Sequence, residues 1–145
     1  DDIVCQLQDL MAECDGLIVG SPVHYASAAG ALCCVLDRLF YSTGHIDKRM
    51  KVGASVVCAR RGGCTAAMDV LNKYFTISGM PIASGQYWNG IHGNNAQEAQ
   101  QDEEGMLMMR TLARNMAFLM RSIQLGKEKY GLPEREKSVA TNFIR

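Results

Sequence analysis

The sequence predicts an α/β fold, a parallel sheet with helices on both faces, and three observations predict it. Gly16–Gly20 and the VGASVVCA run that ends at Ala59 are apolar without alternation, the pattern of strands covered on both sides. Each leads into a short loop and then a segment with helical spacing of its apolar residues. Strand and helix alternate along the chain, which favours parallel pairing over hairpins.

Taken in order, Asp1 to Glu13 reads as an amphipathic helix, with Asp1 or Asp2 as its cap and Ile3, Leu7, Leu10 and Met11 on one face. The strand Gly16–Gly20 follows. Ser21-Pro22 stops it, because proline lacks a backbone donor and biases the residue before it away from helix. Ser27–Tyr41 is the next helix, with Ser27 as a candidate N-cap. Ser42-Thr43-Gly44-His45 is a turn. Lys51–Ala59 is the second strand and Arg60 to Cys64 a loop. Thr65–Ser78 is a helix that Thr65 would cap and Gly79 would end. Met80–Ser84 is the third strand. Gly85–Gln101 is long, irregular and rich in Gly and Asn, and loops of that length in a compact domain usually carry function. Asp102–Leu125 is a long helix with Leu107, Met108, Leu112, Met116, Leu119 and Ile123 on its apolar side. From Gly126 the tail is polar until Phe143.

A chain of 145 residues is expected to form one domain that buries roughly two thirds of its unfolded surface. Its 15 basic and 15 acidic side chains cancel and form no block of one sign, so neither nucleic acid nor an anionic membrane is an expected partner. No apolar run approaches the ~20 residues that span a bilayer. No signal peptide is read from the sequence, and a cytoplasmic location is expected. The six cysteines include an adjacent pair, Cys33-Cys34, but no CxxC, so no metal site is expected; reduced thiols are. Cys64 stands apart, since it would open a helix beside arginines, where a thiol pKa falls. A small residue tolerated at a turn explains it as well.

Two loops leave the carboxyl ends of strands, the edge at which open α/β sheets bind ligands. The first, Ser21-Pro22-Val23-His24-Tyr25-Ala26-Ser27, combines polar, aromatic and rigid residues. It reads either as a ligand loop or as a simple strand-to-helix turn with Tyr25 packed on the core. The second, Ala59-Arg60-Arg61-Gly62-Gly63, pairs two arginines with two glycines that permit close backbone approach and positive φ. A helix start beside it adds a positive dipole end; a solvated basic turn is the plainer reading. Tyr87, Trp88 and His92 follow the third strand and are candidates for a substrate pocket, a subunit contact or core anchoring.

Ser21 to Arg38, SPVHYASAAGALCCVLDR, resembles the SPVYxxSxxGxLKxxxDR signature of the NADPH-dependent FMN reductase family in the flavodoxin-like superfamily. The branch that includes the iron–sulfur flavoproteins is the most similar. Ala59-Arg60-Arg61-Gly62-Gly63, Tyr87-Trp88-Asn89 and Thr141-Asn142-Phe143-Ile144-Arg145 extend the resemblance along nearly the whole chain. His24 stands where the family usually has tyrosine, and Cys33-Cys34 replaces a more usual polar pair.

The resemblance implies a flavodoxin-like, doubly wound, three-layer α/β/α domain that binds FMN. It implies NAD(P)H as co-substrate, with hydride moving from nicotinamide to flavin N5, so that no catalytic side chain is required. The acceptor would be a flavin, a quinone, an azo or nitro compound, or a redox protein. Pro22, Val23, His24 and Tyr25 would line the ring, within a cofactor set of Ser21 to Tyr25, Ser27 and Ala59 to Gly63. Arg60 and Arg61 would stabilise a reduced flavin or attract phosphates. A homodimer or homotetramer is expected. Such domains normally have five strands in the order 2-1-3-4-5, whereas only three are read here. Roughly 50–60 residues, two short βα units, are therefore expected upstream. They would supply the first strand, the phosphate-binding turn and, in iron–sulfur members, the cysteines of a cluster. An electron carrier without NAD(P)H turnover and a truncated, non-catalytic subunit are the alternatives.

Overall fold

The computed structural model describes residues 2–143. A four-stranded sheet has the order β2-β1-β3-β4. Strands β1 (Gly16–His24) and β3 (Val52–Ala59) are parallel, from Gly16 opposite Val52 to Pro22 opposite Cys58. Strand β4 (Gly90–His92) lies parallel to β3, with Val57 opposite Gly90 and Ala59 opposite His92. The short β2 (Ser27–Ala28) folds back on the end of β1 as an antiparallel hairpin. Helices α2 (Gly30–Ser42) and α3 (Cys64–Ile77) cover one face, where Val19, Leu36, Val57, Leu71 and Phe75 form a core. Helix α1 (Ile3–Glu13) packs beside α2 through Val4, Met11 and Leu39. On the other face α5 (Glu103–Tyr130) packs on β3 through Val52, Ala54, Leu112 and Met116, and α4 (Ala96–Gln101) leads into it. These are the three layers and the parallel sheet that the apolar runs predict.

The local reasons are specific. Asp2 caps α1, its carboxylate accepting from Val4 N at 3.1 Å; Asp1, the other candidate, lies outside the described residues. Gly79 ends α3 in the left-handed region, φ 68°, as expected. Gly53 sits mid-strand because the Phe75 ring lies over it: a β-carbon there would stand 2.5 Å from that ring. Phe75 is fully buried, which stabilises the fold by roughly 1.5–3 kcal/mol.

Several expectations are corrected. Pro22 does not stop the first strand, which runs on to His24. Asp15 O accepts from Val52 N, so by alternation the odd-numbered residues of β1 turn their backbone groups to β3. Pro22 then faces the other edge, where its missing donor breaks no ladder bond. Nor is β1 covered on both faces: Ile18 is 53% exposed, because α5 lies over β3 and its Met116 and Met120 reach β1 only at Gly16. Ser27 is a strand residue, and α2 starts later, with Ala29 at the N-cap position. The N-cap of α3 is Gly63, not Thr65.

The expected third strand Met80–Ser84 makes a single parallel bridge, Ile82 to Gly53, and regular pairing resumes only at β4. The segment between them is held off the sheet by Asn89. Its buried side chain donates to Ser55 O at 3.2 Å and accepts from Gly85 N at 3.2 Å, while its own carbonyl accepts from Val57 N. Gly85–Gln101 therefore contains a strand and a helix rather than one loop. Helix α5 continues past Gly126 to Tyr130, and Leu107 lies on its outer side, 42% exposed, not in the core.

Candidate functional site

The carboxyl ends of β1, β3 and β4 bring the two predicted loops together. The first is a hairpin tip. Tyr25 and Ala26 link β1 to β2 with φ of 50° and 57°, the left-handed pair that a tight two-residue turn needs. Neither is glycine, so the tip holds backbone strain of order 1–3 kcal/mol. Ser21, buried under the tip, fastens it: its Oγ accepts from Ala29 N at 2.9 Å and donates to Pro22 O at 2.8 Å. Tyr25 points wholly into solvent, so it does not pack on the core. Pro22 and His24 are exposed on the same strand, and Val23 is half-buried.

The second loop meets the first at Gly63. Gly63 has φ 98°, and a β-carbon there would stand 2.9 Å from both Ala26 Cα and Val23 Cγ1. Its two glycines thus differ, since nothing lies within 4 Å of the β-carbon position of Gly62. Arg60 and Arg61 are exposed and Ala59 is buried. Among the described residues no side chain caps α3, so its first N–H groups and its dipole are presented at the loop.

His92 closes the edge from β4. Its N–H donates to Asp102 Oδ2 at 2.7 Å, and Asp102 also caps α5 by accepting from Gly105 N at 2.9 Å. These two backbone donors, first Gly105 and then His92, hold the Asp102 carboxyl below its ordinary range. Cys64 Sγ lies 3.8 Å from His92 Nε2. Burial, with the nearby Cys58 acting in the same direction, pushes the Cys64 thiol up, against the lowering expected at this position. A polar cavity of about 570 Å³, lined by Arg60, His92, Gly93, Glu98, Asp102 and their neighbours, opens beside the second loop.

Tyr87 and Trp88 immediately precede β4, their rings 4.8 Å apart and both more than half exposed. Sequence reasoning missed Ala26, Asn89 and Asp102. Ala26 gave no signal, because its left-handed backbone is imposed by the hairpin. Asp102 was legible as an N-cap ahead of Glu103 and Glu104, but its hold on His92 was not.

A three-layer α/β domain built on a mostly parallel sheet, with two loops joined at the carboxyl ends of its strands, is a flavodoxin-like architecture. Comparison with known proteins agrees. RosB, solved with a bound 8-demethyl-8-formylriboflavin-5'-phosphate intermediate, superposes with a TM-score of 0.63 over all of this chain and 68% of its own, at 15% identity. An NADPH-quinone reductase from P. pentosaceus gives a TM-score of 0.55 over 82% of this chain and 75% of its own, at 18% identity. In sequence, an iron–sulfur flavoprotein of Methanosarcina thermophila is 27% identical over 133 residues, 89% of this chain and 68% of that protein. One from Methanocaldococcus jannaschii is 25% identical over 130 residues, 85% of this chain and 67% of that protein. Residues 1–95 match the NADPH-dependent FMN reductase family, and the chain belongs to that family. It is thereby a flavin-binding oxidoreductase by class. Among the described residues no helix is long and apolar enough to cross a membrane.

Proposed function

We propose that this chain binds FMN at the joined loops, takes hydride from NAD(P)H and passes electrons to a small acceptor. The observation that carries the reading is the seating of Gly63 against the Tyr25–Ala26 hairpin, which makes one edge of two loops. The residues there suit the cofactor. Tyr25 offers an uncommitted aromatic face, Pro22 and His24 an exposed flank, and the uncapped start of α3 with Arg60 and Arg61 a positive field. Pro22, Val23, His24 and Tyr25 would hold the ring from one side. Ala59 to Gly63 would approach it from the other, Gly62 having open space for close backbone contact. Ser21 and Ser27 act by setting the hairpin. When bound, FMN supplies the hydride acceptance and electron delivery itself.

On this reading Arg60 and Arg61 favour negative charge on the ring or on the nicotinamide nucleotide's phosphates. Tyr87 and Trp88 offer apolar surface to a planar acceptor such as a quinone, with His92 nearer the edge. The visible spectrum of the purified chain reconstituted with FMN tests the proposal. With FMN in excess, flavin bands shifted from those of the free cofactor and bleached anaerobically by NADPH are expected, with colour restored by a quinone. Weak binding, lost on gel filtration, is expected of a chain whose phosphate-binding turn would lie upstream. A bound flavin that NADPH leaves oxidised would point to an electron carrier. A flavin spectrum and fluorescence unchanged by excess chain would overturn FMN binding at these loops.

A further inference from the structure

A second cavity opens at the other end of the sheet. Asp37, Phe40 and Tyr41 form one stripe of α2, and Val70, Tyr74 and Ile77 one stripe of α3, by their helical spacing. The two stripes line a cavity of about 820 Å³, closed by the turn of residues 44–49. It lies at the amino end of β3, so the eight residues of that strand, about 26 Å, separate it from the joined loops. Its floor is aromatic: the Phe40 ring stands 5.3 Å from Tyr74 and 6.4 Å from the buried Phe75. Its mouth is apolar too, with Tyr41 90% and Ile77 87% exposed.

The charges around it do not balance. Four cations, Lys48, Arg49, Lys73 and Arg135, line it with two carboxylates, Asp37 and Asp47. Both carboxylates are engaged: Asp37 accepts from the Tyr74 hydroxyl, and Asp47 accepts from Arg49 Nε at 3.0 Å and Nη2 at 2.7 Å. Lys48 is buried and donates to Thr43 O and Ile46 O. Arg49 Nη1 also donates to Pro133 O at 3.2 Å, which ties the segment after α5 beneath the sheet and leaves Arg135 at the cavity. Among the described residues neither Lys73 nor Arg135 has an ion pair.

We infer that this cavity binds a flat aromatic acid, with its rings on Phe40, Tyr41 and Tyr74 and its anionic group at Lys73 and Arg135. The volume is that of an ordinary small-molecule site, which joins apolar walls to a few convergent polar groups. The two excess positive charges select an anion over a neutral or cationic ring, and the Arg135 guanidinium matches a carboxylate in two-point contact. Three aromatic side chains favour a ring over an aliphatic chain of the same area. The inference does not rest on the flavin reading, since the two sites share no residue.

The probe is 8-anilinonaphthalene-1-sulfonate, an aromatic anion that fluoresces in apolar surroundings, added to the whole chain, with circular dichroism to confirm folding. One site per chain is expected, with a Kd of about 10–100 μM, the level open to a ligand of about 20 non-hydrogen atoms. In equilibrium dialysis an excess of FMN should leave the probe bound. Lys73→Glu combined with Arg135→Glu should weaken it about tenfold, the scale of two exposed ion pairs. The uncharged N-phenyl-1-naphthylamine should bind this double variant as it binds wild type. Ile77→Asp, at an exposed position that the fold does not need, should weaken both probes. Absence of a fluorescence rise, displacement by FMN, or affinity unchanged in all these variants would overturn the inference. Fluorescence that appears only on dilution would also overturn it, by showing that a second copy covers the cavity.

Discussion

Gly63 and Ala26 meet backbone to backbone: a β-carbon on Gly63 would stand 2.9 Å from Ala26 Cα. Two loops that the chain separates by a whole helix and strand are thereby one structural unit. Gly63→Ala combines that overlap with a left-handed φ of 98°, and should destabilise the fold by about 1–3 kcal/mol. A thermal melt unchanged from wild type would show that the two loops are not in contact.

Gly62→Val separates binding from folding. Gly62 has no neighbour within 4 Å of its β-carbon position, so the fold should change by less than about 0.5 kcal/mol. FMN affinity, read by fluorescence titration, should fall by about tenfold or more, because a branched side chain would block the backbone's approach. Unchanged affinity would remove the second loop from the site.

Ser21→Ala leaves the Ala29 N–H without its acceptor under the hairpin. Loss of this half-buried hydrogen bond costs about 0.5–1.5 kcal/mol. Urea unfolding should report that loss, and FMN affinity should fall with it, since Pro22 to Tyr25 lose their anchor. Full stability in this variant would mean that the strained Tyr25–Ala26 turn holds itself.

Asn89→Ala removes both side-chain bonds, to Ser55 O and from Gly85 N, at a buried position. A loss of about 2–3 kcal/mol is expected, with faster amide exchange at Gly85 and in the segment carrying Tyr87 and Trp88. A variant as stable as wild type would show that β3 alone sets the path of this segment.

Asp102 links stability to pH. Its folded carboxyl is held below the ordinary range by Gly105 N and His92 N, so its contribution is present above the unfolded pKa of about 3.9 and is lost as pH falls through the folded value. Asp102→Asn keeps a capping oxygen but loses the charge at the start of α5, and should be less stable than wild type by about 0.3–1 kcal/mol at neutral pH. The gap should narrow on acidification below about pH 4. A gap in urea midpoint that stays constant from neutral to acid pH would refute the linkage.

Much of this protein is written in its local sequence. The apolar runs at Gly16 and Val52 and the helical spacing after each determined the parallel α/β class, because periodicity and burial are properties of neighbouring residues. The Ser21–Arg38 segment carried the family, and glycines and arginines after Ala59 marked the second loop. What tertiary structure decided is how the elements meet. Pro22 stays in β1 because its nitrogen faces away from β3, toward the β2 edge just short of the two ladder pairs there, which no local preference encodes. Ile82 and Gly90 share the side of β3 with a detour between them because Asn89 reaches back to Ser55, 34 positions earlier. Thr65 yields the cap of α3 to Gly63 because only a residue without a side chain fits against Ala26. The candidate site is such a long-range consequence: the residues of each loop are legible one by one, but their union at Gly63 exists only in the folded chain.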